Sequence, residues 1–572
     1  MTLLPFAMLR WNSQLADDSV KGWAVKASRN TVRQNDRARW FGLVFISVAV
    51  ALIIVDSTII NVAIPSIVRD LGITSTDVQW VQESYTLVFA ALLLVFGTLA
   101  DRFGRRRVML LGVTIFALSS VLAALSGSAG LLIGARLLQG VGGAMILPTS
   151  LSLINATFRG KDRGIAFAVW GSTIGGMAAV GPLLGGWLTT YFSWRWAFGI
   201  NVPLGVIIVI GTLIYVTESR EETITRVDVR GAILAIVTST SLVFGLIEGR
   251  TYGWWSTDQA PTFFGWKWPY SLSPIPIAFA IAVIAGVLFV LWGLRRQREG
   301  KSTMLAFDLL KIRSFRNGNL AAMIVSLGEF GIILSLPLWL QNVLGYSAVQ
   351  TGLVLLGLAI GSFVASGFAG VFSGRLNPVT VVRVGILGEI VGLVIVALVI
   401  STNTPWYAIE GGLFVYGFGV GLATAQLTGV VLKDVPVDKS GSGSGTQSTS
   451  RQIGSALGIA ILGTILFTSL GSQLDAKLAD QHVPAAERTS IVNAVVNSAG
   501  SAITALERES TATANDAKQA FADSTRDSAF AAAGFLLLGL LATLSLGAGS
   551  QGVGTGTGTI GATGVGAAGG GE

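Results

Sequence analysis

The 572-residue chain has no cysteine and a single histidine, His482. It therefore holds no disulfide framework, no thiolate metal site and no histidine cluster for zinc. Charge is scarce too: 12% of residues are Asp, Glu, Lys or Arg, against about 25% in soluble globular proteins. With 52% apolar residues and a mean hydropathy of +0.68, the chain reads neither as disordered nor as a water-soluble enzyme. No G-x-x-x-x-G-K-[ST] loop occurs, which argues against an ATP-driven pump. A nucleophile–base set or metal-ligand cluster at one membrane face is also missing, so an enzyme is not expected.

What the chain does have is apolar runs. They lie near 41–63, 79–99, 107–126, 129–150, 164–189, 197–217, 231–249, 275–294, 318–340, 350–373, 380–401, 405–432, 451–471 and 528–548, fourteen in all. A run of about 20 apolar residues crosses a hydrocarbon core some 30 Å thick. The expected fold is an all-α integral membrane protein with 14 spans. The long basic stretch before the first run, and Asp56 inside that run, speak against a removable signal peptide.

Lys and Arg divide unevenly between the two sides. With the N-terminus inside, 29 of the 39 fall in inside segments and 9 in outside loops, and Arg136 lies within a span. This is the positive-inside pattern, and it predicts both termini cytoplasmic. The net charge of +8 is then an orientation signal and not a nucleic-acid surface.

Two related halves are visible. Phe96-Gly-Thr-Leu-Ala-Asp-Arg-Phe-Gly-Arg follows the second run, and Phe368-Ala-Gly-Val-Phe-Ser-Gly-Arg-Leu-Asn follows the tenth in similar register. Residues 1–40 read as a cytoplasmic basic leader, 41–217 as a six-helix half and 218–317 as inserted spans 7 and 8. Residues 318–548 read as a second six-helix half that includes an outer loop at 472–527. The Gly-rich tail 549–572 is predicted to be disordered.

Charges inside spans are costly and mark functional candidates. Here they are Asp56, Arg136, Glu329, Glu389 and, nearer the outer edge, Glu410. Counted along their runs, Asp56 and Arg136 sit at similar depth, roughly 10–12 Å below the outer surface at 1.5 Å per residue. They share a cavity as a proton-coupling pair, or they form a static ion pair between helices; the residues alone leave both open. Burial disfavours the anionic form of a carboxylate, so such a group can take up and release a proton as access alternates. Glu329 and Glu389 read as proton sites, as contacts for a cationic substrate, or as neutral acids bonded to a neighbouring helix. Phe330, Trp339, Gln341 and Tyr416 are candidates to line a substrate site, or else packing residues.

Two further patterns carry mechanism. Gly97, Asp101, Arg102, Gly104, Arg105 and Arg106 form a short charged turn between spans 2 and 3. Asp101 can meet the positive N-terminal end of a helix from the other half, and the arginines can meet carboxylates there, so the turn reads as a gate latch. In span 5, small residues recur at helical spacing up to Gly181, Pro182, Gly185 and Gly186. They permit close helix approach, and the proline permits a bend.

In this order, the residues resemble the major facilitator superfamily, and more narrowly its fourteen-span drug:proton antiporters of the EmrB/QacA type. Asp56-Ser-Thr-Ile-Ile-Asn-Val-Ala-Ile-Pro65 is similar to that group's first-span motif, Gly97 to Arg107 to the superfamily loop signature, and Arg136-Leu-Leu-Gln-Gly140 to the fourth-span motif. Gly181-Pro182 with Gly185-Gly186 matches the core of the antiporter motif, although Met177 stands where a glycine is expected. Trp194 to Pro203, Leu340-Gln341 with Gly345, and Arg451 to Gly458 also resemble the group. The resemblance implies two six-helix halves plus two inserted central helices, and proton coupling through Asp56 and Arg136. It implies multidrug efflux at the cell membrane by a secondary active antiporter, with lipophilic or cationic substrates. The expected energy source is the proton gradient, with no cofactor, no metal and a monomeric chain. The alternative is a proton-driven exporter of one endogenous metabolite or lipid precursor.

Overall fold

The computed structural model describes residues 37–546, apart from 61, 62, 65, 74, 221–226, 264, 265 and 373–375. The leader up to residue 36 and the tail 549–572 lie outside the described residues.

The first half contains α1 (Arg37–Ile60), α2 (Ser75–Phe103), α3 (Arg105–Ala124), α4 (Ala129–Thr157), α5 (Gly160–Tyr191), α6 (Arg195–Gly199) and α7 (Asn201–Tyr215). Then come α8 (Val229–Tyr252) and α9 (Pro274–Arg298), joined by a two-stranded hairpin, β1 (Thr262–Phe263) and β2 (Trp266–Lys267). The second half contains α10 (Arg313–Asn342), α11 (Ala348–Phe372), α12 (Pro378–Val399), α13 (Trp406–Leu432), α14 (Ser440–Asp480), α15 (Ala485–Asn497), α16 (Ile503–Glu509) and α17 (Thr511–Ala542). Several helices start where a polar side chain takes up an orphan backbone N–H. Ser128 accepts from Leu131, Ser273 from Ile275, Asn377 from Val379 and Ser510 from Thr513.

Twelve helices among the described residues are long and apolar enough to cross a membrane, or thirteen if the bent α5 is one span. The expected run at 350–373 falls on α11, an apolar helix of 25 residues. Helix α5 turns by 41° between Gly160–Ala178 and Val180–Tyr191, just ahead of Pro182. The stretch read as an outer loop, 472–527, is helical for most of its length. Helix α14 runs on to Asp480, α15 and α16 follow, and α17 begins at Thr511. Alanine-rich sequence favours helix even without an apolar face, and Asn342 ties this cap to α10 by donating to the Ala499 carbonyl at 2.9 Å.

The two halves meet along glycine-lined seams. Helix α5 packs on α11 and α13, and α2 packs on α14. At the α2–α14 crossing, a Cβ on Gly97 would stand 2.6 Å from the Gly441 carbonyl oxygen and 2.7 Å from the Gly445 Cα. Backbone atoms cannot move aside as a flexible side chain can. The Ser/Gly-rich start of α14 is helical because this crossing buries Ser440 to Gly445. Helices α8 and α9 pack on each other, and α8 also on α2 and α14. At the end of the pair nearest the 97–107 turn, buried Asp228 caps α8 through Gly231 N–H at 3.0 Å, accepts from Trp292 Nε1 at 2.9 Å and faces Arg296 at 3.6 Å.

A Leu94→Cys/Gly445→Cys pair in this cysteine-free chain is expected to form a disulfide under mild oxidation, and adding Gly97→Leu to cut its yield several-fold. Gel mobility of the oxidised and reduced protein reads the yield, and an unchanged yield would count against the tight crossing. Asp228→Ala removes acceptors from buried donors and should cost about 1–3 kcal/mol. The expected readout is a lower apparent Tm, partly restored in Asp228→Asn.

Candidate transport site

Asp56 on α1 and Arg136 on α4 come together as a buried ion pair. Arg136 Nη1 donates to Asp56 Oδ2 at 2.5 Å, and their side chains are 1% and 0% exposed. An ion pair so fully removed from water survives only when its remaining donors and acceptors are also satisfied. Here neutral side chains do that. Gln139 Nε2 donates to Asp56 Oδ1 at 3.1 Å and Asn201 Nδ2 to the same oxygen at 2.7 Å. Arg136 also donates to Gln139 Oε1 at 2.9 Å and to the Val81 carbonyl at 3.2 Å, and its guanidinium lies over the Tyr85 ring at 4.3 Å. Ser120 Oγ accepts from both Gln139 and Asn201. Five helices, α1, α2, α3, α4 and α7, thus meet in one network around Asp56 and Arg136. Gln139 and Asn201 stand inside the resembling motifs as quoted, but uncharged amides in apolar runs carry no signal of their own.

The glycines of span 5 lie directly beside this network. A side chain on Gly181 would run into Thr58 and the Val55 carbonyl, and one on Gly185 into Ile59. Val55, Thr58 and Ile59 flank Asp56 in sequence. On the other side, Gly186 abuts Val349 at the start of α11. The bent helix α5 is therefore wedged between the Asp56 segment and the second half.

In the second half, Glu329 on α10 pairs with Arg451 on α14 at 3.4 Å and accepts from Thr424 Oγ1 at 3.0 Å. Arg451, the first residue of the expected run 451–471, lies well inside α14, which starts eleven residues earlier, at Ser440. Glu389 on α12 is fully buried, and neither carboxyl oxygen has a hydrogen-bond partner among the described residues. Its electrostatic neighbours include Glu329 and Arg451. Glu410 lies apart from these groups, near the start of α13. Glu248, a further buried acid, sits near the end of α8, where a charge at the edge of an apolar run draws no notice. Trp339 and Tyr416 are core residues; Trp339 donates to the Ser401 carbonyl and Tyr416 to that of Glu329. Gln341 is exposed.

The 97–107 turn joins the halves. Asp101 accepts from the first backbone amides of α14, Gly441 N at 2.7 Å and Ser442 N at 2.9 Å. This places its carboxylate on the positive end of the α14 dipole. Arg105 holds Asp101 at 2.8 Å and reaches the Val437 carbonyl of the other half at 2.6 Å. The other arginines depart from expectation. The Arg106 and Arg107 amides bind Glu218, just past α7, at 3.1 and 3.2 Å, and Arg102 lies against the Phe103 ring. The carboxylate they were expected to find across the interface stands on their own side, since Gly104 at φ +105° turns the chain directly over Glu218. The linker from α9 to α10 straps the same place. Thr98 donates to the Met304 carbonyl, Ala306 N–H donates to Ser442, and Lys439 pairs with Asp308. Burial pushes the Asp308 carboxyl up, but the Lys439 bond, a backbone hydrogen bond and the charges of Lys439 and Lys311 together outweigh it, and the group sits below its ordinary range. At the opposite end, hydrogen bonds from Arg195 and Trp194 hold Asp70 below its ordinary value. Both contacts are therefore kept at neutral pH and lost as pH falls through the lowered values.

Among the described residues no cluster of His, Asp or Glu could hold a metal ion. The residues instead place a carboxylate–arginine pair within the spans of each half, its acid on the first helix of that half, with a latch between the halves.

Residues 46–459 match the Major Facilitator Superfamily. The chain is 33% identical to a probable actinorhodin transporter of Streptomyces coelicolor, covering 77% of this chain and 75% of that protein. It is 33% identical to the multidrug efflux pump LfrA of Mycolicibacterium smegmatis, covering 79% and 85%. A puromycin resistance protein of Streptomyces alboniger is 32% identical, covering 77% and 84%. The crystal structure of the human organic anion transporter MFSD10 shares the fold at a TM-score of 0.52 and 14% identity, covering 89% of this chain and 99% of that one. The chain belongs to the Major Facilitator Superfamily and is a multi-pass membrane transporter, not an enzyme.

Proposed function

We propose that this transporter exports drugs or other hydrophobic and cationic small molecules across the cell membrane in exchange for protons. It works as a monomer with fourteen spans and cytoplasmic termini, drawing on the proton gradient with no cofactor. Relatives named for multidrug efflux and antibiotic resistance support the export of drugs. The positive-inside count supports the orientation, and the overlap of every expected apolar run with a helix supports fourteen spans, with α5 bent.

The buried Asp56–Arg136 pair carries the proton-coupling reading. A proton arriving on Asp56 cancels half of the pair and leaves the Arg136 charge to Gln139, the Val81 carbonyl and the Tyr85 face. Those contacts are all on the first half, so the local balance of forces on α1 changes while α4 stays anchored. Because α5 leans on Val55, Thr58 and Ile59, a shift of α1 reaches α5 and, through Gly186 and Val349, the second half. The Asp101 bond to the start of α14 is the contact that such a movement makes or breaks. In the second half, the Glu329–Arg451 pair with buried Glu389 beside it offers a further place for a proton or a cationic substrate.

A reading as the exporter of one compound is favoured by relatives named for a single product, such as the tetracenomycin C resistance and export protein of Streptomyces glaucescens. Inverted vesicles under an imposed pH gradient separate the two. Saturable proton release with many lipophilic cations marks multidrug export, and response to one compound class alone marks the narrower function. In the same vesicles Asp56→Asn is expected to abolish proton-driven transport while the protein inserts at normal levels. Full proton-driven efflux by a well-expressed Asp56→Asn variant would sink the coupling role.

A further inference from the structure

Helix α9 leaves more of its length unburied than any other candidate span among the described residues, and its bare face is a stripe. Ile284, Leu288 and Leu291, all half-exposed, lead at three- and four-residue spacing to Arg295 and Arg298 in its last turn. The neighbouring helix α8 carries a matching stripe of Arg230, Ile233 and Val237, all exposed. The start of α8 lies beside the end of α9, where Asp228 accepts from Trp292, so both stripes end in arginine at the same level. This is the end of the pair nearest the 97–107 turn.

Trp292 brings the two ends together. Its bond to buried Asp228 fixes the ring between the helices, and the Arg230 guanidinium lies over that ring at 5.2 Å. Arg296, 6.0 Å from the same ring, is taken up by Asp228 at 3.6 Å and the Ser302 carbonyl at 3.0 Å. Glu299 serves both Arg295 at 3.2 Å and Lys301 at 2.7 Å. Arg230 and Arg298 form no ion pair among the described residues. The cations Arg230, Arg295, Arg296, Arg298 and Lys301 therefore outnumber the carboxylates of Asp228 and Glu299. Orientation by positive charge accounts for arginines at the end of a span, with water around them. It does not account for a guanidinium held on a ring that a buried carboxylate orients.

Guanidinium groups bind phosphate through paired N–H donors, and this surplus of positive charge repels the cation of a choline headgroup. Apolar surface runs directly on from the arginines into the span, so the anion that fits carries acyl chains. A free phosphate or nucleotide has nothing to lay on Ile233 and Leu291. We propose that the α8–α9 groove at this end binds an anionic glycerophospholipid, its phosphate on Arg230, Arg295 and Arg298 and its chains along the two apolar stripes. The site is separate from the Asp56–Arg136 network and rests on the place of the chain in a membrane, not on proton exchange or drug export. Arg296 also holds the start of the linker that bonds to Thr98 and Ser442, so an occupied site steadies the origin of the strap over the latch.

The test places the full chain in phosphatidylcholine nanodiscs doped with tail-brominated phosphatidylglycerol or, in parallel, tail-brominated phosphatidylcholine. Quenching of Trp292 is read as the difference between the unaltered chain and Trp292→Phe. Phosphatidylglycerol is expected to be favoured several-fold at Trp292. The double variant Arg230→Gln/Arg298→Gln should remove that preference and leave quenching by phosphatidylcholine unchanged. The apparent Tm in detergent gives a second readout that does not depend on Trp292→Phe folding well. Dioctanoyl phosphatidylglycerol should raise it for the unaltered chain and not for the double variant. Equal quenching by the two lipids, or a preference and Tm rise that survive both substitutions, overturns the site. Displacement of phosphatidylglycerol by millimolar inorganic phosphate would mark a small-anion site and overturn the lipid.

Discussion

A carboxylate and a guanidinium with almost no contact with solvent must find every remaining bond within the protein, and that requirement organises the first half. Asp56 and Arg136 neutralise each other, but the pair leaves acceptor and donor capacity that lipid cannot fill. Gln139, Asn201, Ser120 and the Val81 carbonyl fill it, and Tyr85 supplies its ring face. Each partner comes from a different turn or helix, so the network fixes how five helices lie relative to one another. A network this complete has little slack. Any change in the charge of one member alters the set of bonds for all of them.

The second constraint is proximity, and glycine supplies it. Lipid gives no hydrophobic incentive for helices to meet, so contact area and buried backbone polarity must provide the attraction. Gly97 against Gly441 and Gly445 brings α2 and α14 close enough for the Asp101 carboxylate to reach two amides of α14. The inserted pair α8–α9 contributes through its outgoing linker, which lies over the same junction and bonds to Thr98 on one side and Ser442 on the other. The extra helices are thus attached to the latch as well as to the periphery of the bundle.

Much of this was readable in the sequence, for reasons that show where reading stops. The depth of Asp56 and Arg136 follows from counting residues along apolar runs, and their meeting follows from the cost of leaving either alone. Gln139 and Asn201 escaped because hydropathy registers charge strongly and amides weakly. The expected run began only at Arg451 because Ser440 to Ser450 is polar and glycine-rich; only the close crossing with Gly97 of α2 makes that stretch a buried helix. The 97–107 turn revealed that Asp101 would meet a helix start, but not that Glu218 would claim the neighbouring backbone. That assignment depends on where α7 ends in space, which no local pattern records. The same holds for 472–527, where alanine indicated helix yet nothing local showed that α14 and α17 would simply continue.

Helix α14 itself has a mechanical consequence. Its 41 residues from Ser440 to Asp480 form one uninterrupted helix, about 60 Å long at 1.5 Å per residue. One end rests on the Asp101 carboxylate and the other carries the α15–α16 cap, tied through Arg488 to Asp475. A rigid rod of about that length, tilted by about 10°, displaces its far end by roughly 10 Å. The cap is therefore a pointer fixed to the latch, and a binder that clamps the cap to α10 would brake the conformational cycle from the opposite face of the membrane.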